Sequence, residues 1–212
     1  MKIGVICDDY WHPGKTIKEG LEPLSQAGFQ FSYIVCASEW SRTWIEQQDV
    51  IVLAKSNQVS ASDETPWLTE EIQREFIDYV EQGKGLLVLH AGSVGYRNER
   101  SIYELVGGVF QSHPESCSVT LNYTDKARVG LSNAKDFTVH DEHYFMEVLD
   151  ERIQVFMTST SEYGMQPAGW VREQGKGRVC VLTPGHFLEA LRHPDYQAAI
   201  EAALRWCGGR KA

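Results

Sequence analysis

Histidines and carboxylates at the ends of apolar runs mark where this chain of 212 residues can do chemistry. His90 closes the run Leu86-Leu87-Val88-Leu89 and is followed by Ala91-Gly92. Asp8, Asp9 and His12 follow the first apolar run, Asp141-Glu142-His143-Tyr144 stand together, and His186 follows Thr183-Pro184-Gly185. His113, before Pro114, is a weaker fifth member. Imidazoles and carboxylates that share a crevice can exchange protons with a substrate near neutral pH. They can also hold one divalent ion with a position left open for substrate. His90, Glu142 and His186 are the candidate acid–base residues. His12, His90, His113 and His186 are the candidate ligands of one zinc or manganese ion.

Each group also has a plainer reading. Asp8 and Asp9 serve equally well to cap the helix that follows them, and His12 between Trp11 and Pro13 can be a packed loop residue. The Asp141–Tyr144 run can be a solvated turn. Thr183-Pro184-Gly185-His186 favours function, because the glycine permits close backbone approach at a strand end. His140 and His193 read as structural or surface residues.

The elements that must position these groups are legible as a β/α alternation. Lys2–Cys7, 29–36, 49–53 and 86–89 are short apolar runs of strand type, and continuous rather than alternating apolar character suits parallel strands covered on both faces. Ile17, Leu21 and Leu24 recur at helical spacing. A stronger helix starts after Thr69, with Glu70 and Glu71 in its first turn, a stripe of Ile72, Phe76, Tyr79 and Val80, and Gly83 as its end. Trp40 and Trp44, four apart, read as a helix packing face. Residues 54–68 form a long polar loop that either covers the crevice or lies on the surface. Residues 101–106 read as a short helix broken by Gly107-Gly108. Residues 116–123 alternate as a half-buried strand leading away from the main sheet, and 153–160 form another strand. Residues 170–173 and 178–182 flank Gln174-Gly175-Lys176-Gly177 as a β-hairpin, and a last helix runs from Pro194 to Gly208. The fold class expected is α/β, with a mostly parallel sheet and a hairpin near the carboxyl end. In such a sheet the ends of the first, fourth and last strands can face one crevice, where ligands bind.

Composition narrows the function classes. A formal charge of −9 without clustered Lys or Arg argues against nucleic acid. The amino terminus Met1–Ile6 passes straight into Asp8-Asp9, too short for a signal-peptide core or a membrane span. Five cysteines, an odd number without C-x-x-C spacing, read as thiols of a reducing cytoplasm. No G-x-x-x-x-G-K-[ST], G-x-G-x-x-G or H-E-x-x-H motif is present, so no nucleotide cofactor and no zincin chemistry is expected. The length fits one domain over 1–212, and a homo-oligomer is expected only because soluble proteins so often form one.

Taken together, these residues resemble the ThuA-like, or trehalose-utilisation, family of the class I glutamine-amidotransferase-like superfamily. The resemblance rests on Asp8-Asp9-Tyr10-Trp11-His12-Pro13, Gly85–Gly92, Leu105–Phe110 with His113-Pro114, Asp141–Tyr144, Pro167–Trp170 with Gly177-Arg178-Val179, and Thr183–His186. It covers nearly the whole chain and implies a flavodoxin-like three-layer α/β/α sandwich and a role in sugar metabolism. One departure bears on mechanism. The wider superfamily places a nucleophilic cysteine at the turn after the fourth strand, and here that position is His90. Imidazole does not replace a thioester-forming thiolate, so glutamine hydrolysis is not expected. A hydrolase using Ser93 lacks a G-x-S-x-G elbow.

The resemblance instead implies an enzyme acting on a disaccharide-derived or 3-keto sugar. Glu142 or His90 would be the base and His186 the acid, with His12 or a divalent ion polarising the carbonyl. Asp8, Asp9, His12, Trp11, Tyr144 and Trp170 would bind the sugar, carboxylates to its hydroxyls and rings to its faces. The alternative is a sugar-binding or regulatory protein that kept the crevice and performs no turnover.

Overall fold

The computed structural model describes residues 1–131, 134–148 and 153–209. The strands are β1 (Lys2–Cys7), β2 (Gln30–Ile34), β3 (Val50–Ala54), β4 (Gly85–Leu89), β5 (Gly108–Ser112), β6 (Cys117–Tyr123), β7 (Phe137–Asp141), β8 (Phe145–Val148), β9 (Gln154–Ser161), β10 (Gly164–Gln174) and β11 (Gly177–Leu182). The helices are α1 (Gly14–Leu21), α2 (Arg42–Glu46), α3 (Glu70–Glu81), α4 (Arg100–Val106), α5 (Leu188–Arg192) and α6 (Pro194–Cys207).

A nine-stranded sheet runs in the order β2-β1-β3-β4-β11-β10-β9-β6-β7. Strands β1 to β4, β7, β9 and β11 point one way and β6 and β10 the other, so the sheet is mostly parallel in direction. β3 and β4 are buried at every residue, as expected of strands covered on both faces. On one face α1 and α6 bury Ile17, Leu21, Ile200 and Leu204 against Ile3, Val5 and Leu87. On the other, Ile45 of α2, Phe76 and Val80 of α3 and Ile102 of α4 pack against Ile6, Ile51 and Val88. The α/β/α layering follows from this two-sided burial.

α3 begins and ends as its sequence dictates. The Thr69 hydroxyl accepts from Ile72 N, Glu70 and Glu71 occupy the first turn, and Gly83 follows with φ of 106°. The turn after β4 shows why glycine stands at position 92, since a Cβ there would lie 1.9 Å from the Leu53 carbonyl oxygen.

Two expectations are corrected. Residues 117–123 do not lead away from the main sheet; β6 lies inside it, between β9 and β7. The long arms of β9 and β10 extend the sheet past β11 and offer β6 an edge, while Val119 and Leu121 bury on the common core. Residues 108–112 do more than break a helix. They form β5, which pairs antiparallel with β8 in a separate two-stranded sheet. This sheet carries His113 just beyond one strand and Tyr144 just before the other. The 54–68 loop is tied down at both ends. Lys55, Ser56, Asn57, Trp67 and Leu68 are buried, and Asn57 Oδ1 accepts from both Trp67 N and Leu68 N.

Candidate metal centre

The carboxyl ends of β1, β4 and β11 bring His12, His90 and His186 together, and Glu142 enters from the turn between β7 and β8. One ligand atom from each lies within 4.8 Å of the other three, close to the roughly 4.2 Å diameter of a first-row coordination sphere. The imidazoles meet edge to face, with centroids 5.1 Å apart for His12 and His90, 5.3 Å for His12 and His186 and 5.5 Å for His90 and His186. No pair stacks, so the three rings surround a common point.

Two of the imidazoles are fixed from behind by ring hydrogen bonds, and the third by its loop. His90 Nδ1 is 2.8 Å from the Thr183 carbonyl oxygen; a carbonyl only accepts, so Nδ1 carries the proton and Nε2 turns a lone pair to the cluster. His12 Nδ1 donates to Asp9 Oδ1 over 2.7 Å, which likewise frees His12 Nε2. Asp9 is held in turn by Trp11 N, His12 N and Ser56 N. These are the carbonyl–histidine and carboxylate–histidine supports that orient metal ligands and raise their basicity. The His186 loop hangs on Asp141, whose buried carboxylate accepts from Gly185 N at 2.7 Å, His186 N at 3.0 Å and Phe187 N at 3.4 Å. Gly185 adopts φ of 123°, a value that disfavours any side chain there. His186 Nδ1 is buried without a hydrogen-bond partner, and Glu142 Oε2 lies 3.3 Å from it. That nitrogen makes no well-formed hydrogen bond yet faces Glu142 and two further imidazoles, an arrangement that a divalent cation fits. The donor set, three imidazoles and a carboxylate, suits a divalent transition ion.

His90 is one of two non-glycine residues in the left-handed region among those described, at φ of 44°. Strain of this kind at a strand end belongs to functional turns, and here it aims Nε2 into the crevice. Glu142 Oε2 lies 3.4 Å from that atom and Glu142 Oε1 lies 3.5 Å from His113 Nε2. Burial pushes the Glu142 carboxyl up, but contact with His186 and His90 outweighs it and holds the group well below the usual carboxylate range. The same carboxylate raises His186, whereas burial lowers His12. The Tyr144 hydroxyl lies 2.9 Å from His90 Nε2, its ring stacks on His90 at 4.2 Å, and burial pushes its pKa far above the ordinary phenol value.

The other expected site residues divide. Asp8, the second non-glycine in the left-handed region, at φ of 77°, caps the start of α1 by accepting from Gly14 N at 2.7 Å, so it positions the loop and lies outside the quartet. His113 is not within the ligand quartet. Its Nδ1 is tied to the Pro114 carbonyl and its side chain is 35% exposed at the rim. Trp11 is 66% exposed beside His12, with Tyr10 edge-on at 4.7 Å. Trp170 is fully buried in the core and donates to the Val106 carbonyl at 2.9 Å, so it offers no face to a ligand. An inward position on a strand covered on both faces overrides the exposure an indole needs for stacking. Trp170→Phe should therefore cost about 1–2 kcal/mol, seen as a lower Tm, and leave metal content unchanged. His143 turns away to Ser161 Oγ at 2.7 Å. Sequence reasoning singled out Asp141 within its polar run but not its role as a support, and it missed Thr183 and Ser56. The run of four polar residues at 141–144 was the available signal for Asp141, while a backbone carbonyl and a backbone amide leave none.

A family model described as ThuA, trehalose utilisation, matches residues 10–207. Among solved structures, a ThuA-like protein from Parabacteroides merdae is 15% identical, with a TM-score of 0.78 over all of this chain and 91% of that one. A cytoplasmic protein from Salmonella typhimurium is also 15% identical, with a TM-score of 0.74 over 98% of this chain and 99% of that one. A beta-galactosidase from Bacillus circulans contains the same fold in 31% of its length, at 10% identity and a TM-score of 0.68 over 99% of this chain. No curated protein sequence matches. At these identities the structures establish the fold, and the family rests on the match from residue 10 to residue 207: the chain belongs to the ThuA, trehalose-utilisation, family.

Proposed function

We propose that this protein is a metal-assisted enzyme of sugar metabolism acting on a keto sugar derived from a disaccharide, without a cysteine nucleophile. The observation that carries this reading is the quartet His12, His90, Glu142 and His186, in which the two buried imidazoles, His12 and His90, have pre-oriented lone pairs. The ion, zinc or manganese, would act as a Lewis acid on a carbonyl or hydroxyl oxygen. A keto group acidifies the adjacent C–H, so the protein must supply a base and an acid. A histidine that donates its lone pair to a cation carries no exchangeable proton on that atom, so His90 and His186 are assigned to holding the ion. Glu142 Oε1 and His113 at the rim are assigned to moving the proton, and the Tyr144 hydroxyl to donating toward the oxygen. Trp11 offers an exposed ring for a sugar face. Trp11→Ala should leave folding stability within about 0.5 kcal/mol of wild type while weakening sugar binding about five-fold, the equivalent of roughly 1 kcal/mol of ring contact. Titration calorimetry with keto sugars checks both the platform and the ligand class.

The cytoplasm is the proposed compartment. All five cysteines are unpaired, and no helix among the described residues is long and apolar enough to cross a membrane. Nucleic acid, membrane and nucleotide cofactor have no place in this reading. The deciding experiment is elemental analysis of untagged protein, followed by a screen of sugars and keto sugars for turnover. About one zinc or manganese per chain, with turnover of a keto sugar that stops on chelation and returns with the ion, supports the proposal. Protein that stays metal-free after growth and dialysis with both ions overturns it. Binding without turnover across the screen supports the sugar-binding alternative.

A further inference from the structure

We propose that two copies of this chain pair through β2 to form a dimer with one continuous sheet. β2 is an edge of the nine-stranded sheet and pairs with β1 alone, in an unbroken parallel register from Gln30 to Ile34. Its outward N–H and C=O groups have no partner among the described residues. Protein sheets protect such edges with lysine, proline, a bulge or a covering segment, because an open edge templates another strand. Gln30-Phe31-Ser32-Tyr33-Ile34 has none of the first three. The opposite edge, β7, is different: α5 packs beside it, His140 stacks on Phe187, and its last residue, Asp141, is committed to the His186 loop.

The occupant that fits β2 is β2 itself. An antiparallel pair about a two-fold axis at Ser32 sets Phe31 of each copy opposite Tyr33 of the other, and such cross-strand aromatic pairs stabilise antiparallel strands. Within one copy Phe29, Phe31 and Tyr33 already form a row with centroids 6.3 Å apart, and Phe31 and Tyr33 are half-buried. The axis would continue that row through both molecules. A groove of about 610 Å³ runs beside β2 toward α1, lined by Lys18, Glu19, Glu22, Phe29, Phe31 and Tyr33 among others. Lys18 Nζ sits 5.4 Å over the Tyr33 ring and the Arg205 guanidinium 5.1 Å over Phe29.

Light scattering and sedimentation equilibrium of the whole protein test this. Wild type should show twice the 24.0 kDa chain mass at micromolar concentration, and Phe31→Lys should shift it to monomer with metal content unchanged. Because Phe31 is partly packed, a second variant avoids reliance on it. Ser32→Cys should form an intermolecular disulfide under mild oxidation, since antiparallel partners lie within the Cα distance a disulfide needs. Wild type and Thr138→Cys in β7 are the controls and should not cross-link. A wild-type monomer throughout the concentration range overturns the proposal. A dimer that persists in folded Phe31→Lys while Ser32→Cys fails to cross-link also overturns it, because another surface then holds the copies together. Neither outcome bears on the metal site, whose residues lie outside β2.

Discussion

His90→Ala is expected to emerge from purification with the bound ion lost, its affinity lowered by about 100-fold or more, because truncation removes a ligand whose outer-sphere supports alone are worth about 10–100-fold. His186→Ala and Glu142→Ala should behave in the same way. Asp9→Ala should weaken binding by about 10–100-fold, since it frees His12 to choose the other tautomer without removing a ligand atom. His113→Ala should retain the ion and lose turnover, as its Nε2 faces Glu142 from outside the quartet. Elemental analysis after dialysis, repeated across these variants, reads the outcome directly. Equal metal content in wild type, His90→Ala and His186→Ala would remove the assigned site.

Asp141→Ala should be the most destabilising substitution near the site. The side chain is fully buried and accepts three backbone N–H groups of the His186 loop. Without it three donors lose their partner at once, a cost of about 3 kcal/mol or more, which lowers Tm by about 6–12 °C for a chain of this size. His186 moves with its loop, so metal content should fall as well. Asp141→Asn keeps one acceptor oxygen and should lose less of both. Thermal unfolding with elemental analysis of the same samples distinguishes this from a simple ligand loss: His186→Ala should lose the ion and keep most of its stability without metal. An Asp141→Ala protein as stable as wild type would show that the loop does not depend on this carboxylate.

Several features of this protein follow from local physical chemistry and are legible in the chain. Continuous apolar runs at 50–53 and 86–89 specify strands covered on both faces, and the spacing of Ile72, Phe76, Tyr79 and Val80 specifies the helix between them. Parallel strands send their carboxyl ends to one side, which is why His12, His90 and His186 could be expected to meet although 174 positions separate the first from the last. Glu142 was legible as a participant. Its place in the quartet instead of His113 was not, because that depends on the turn angle between β7 and β8 and on the small sheet that holds His113 at the rim.

What only the tertiary structure decided is set by distant partners. The tautomers of His12 and His90 depend on Asp9 and on the Thr183 carbonyl. The burial of Trp170 depends on the Val106 carbonyl and on packing against the α4 layer, and the pairing of β6 depends on how far β9 and β10 outrun β11. Periodicity reports which face of an element is apolar. It carries no record of which atom, many residues away, satisfies a given donor, and at this site that pairing determines where each lone pair points.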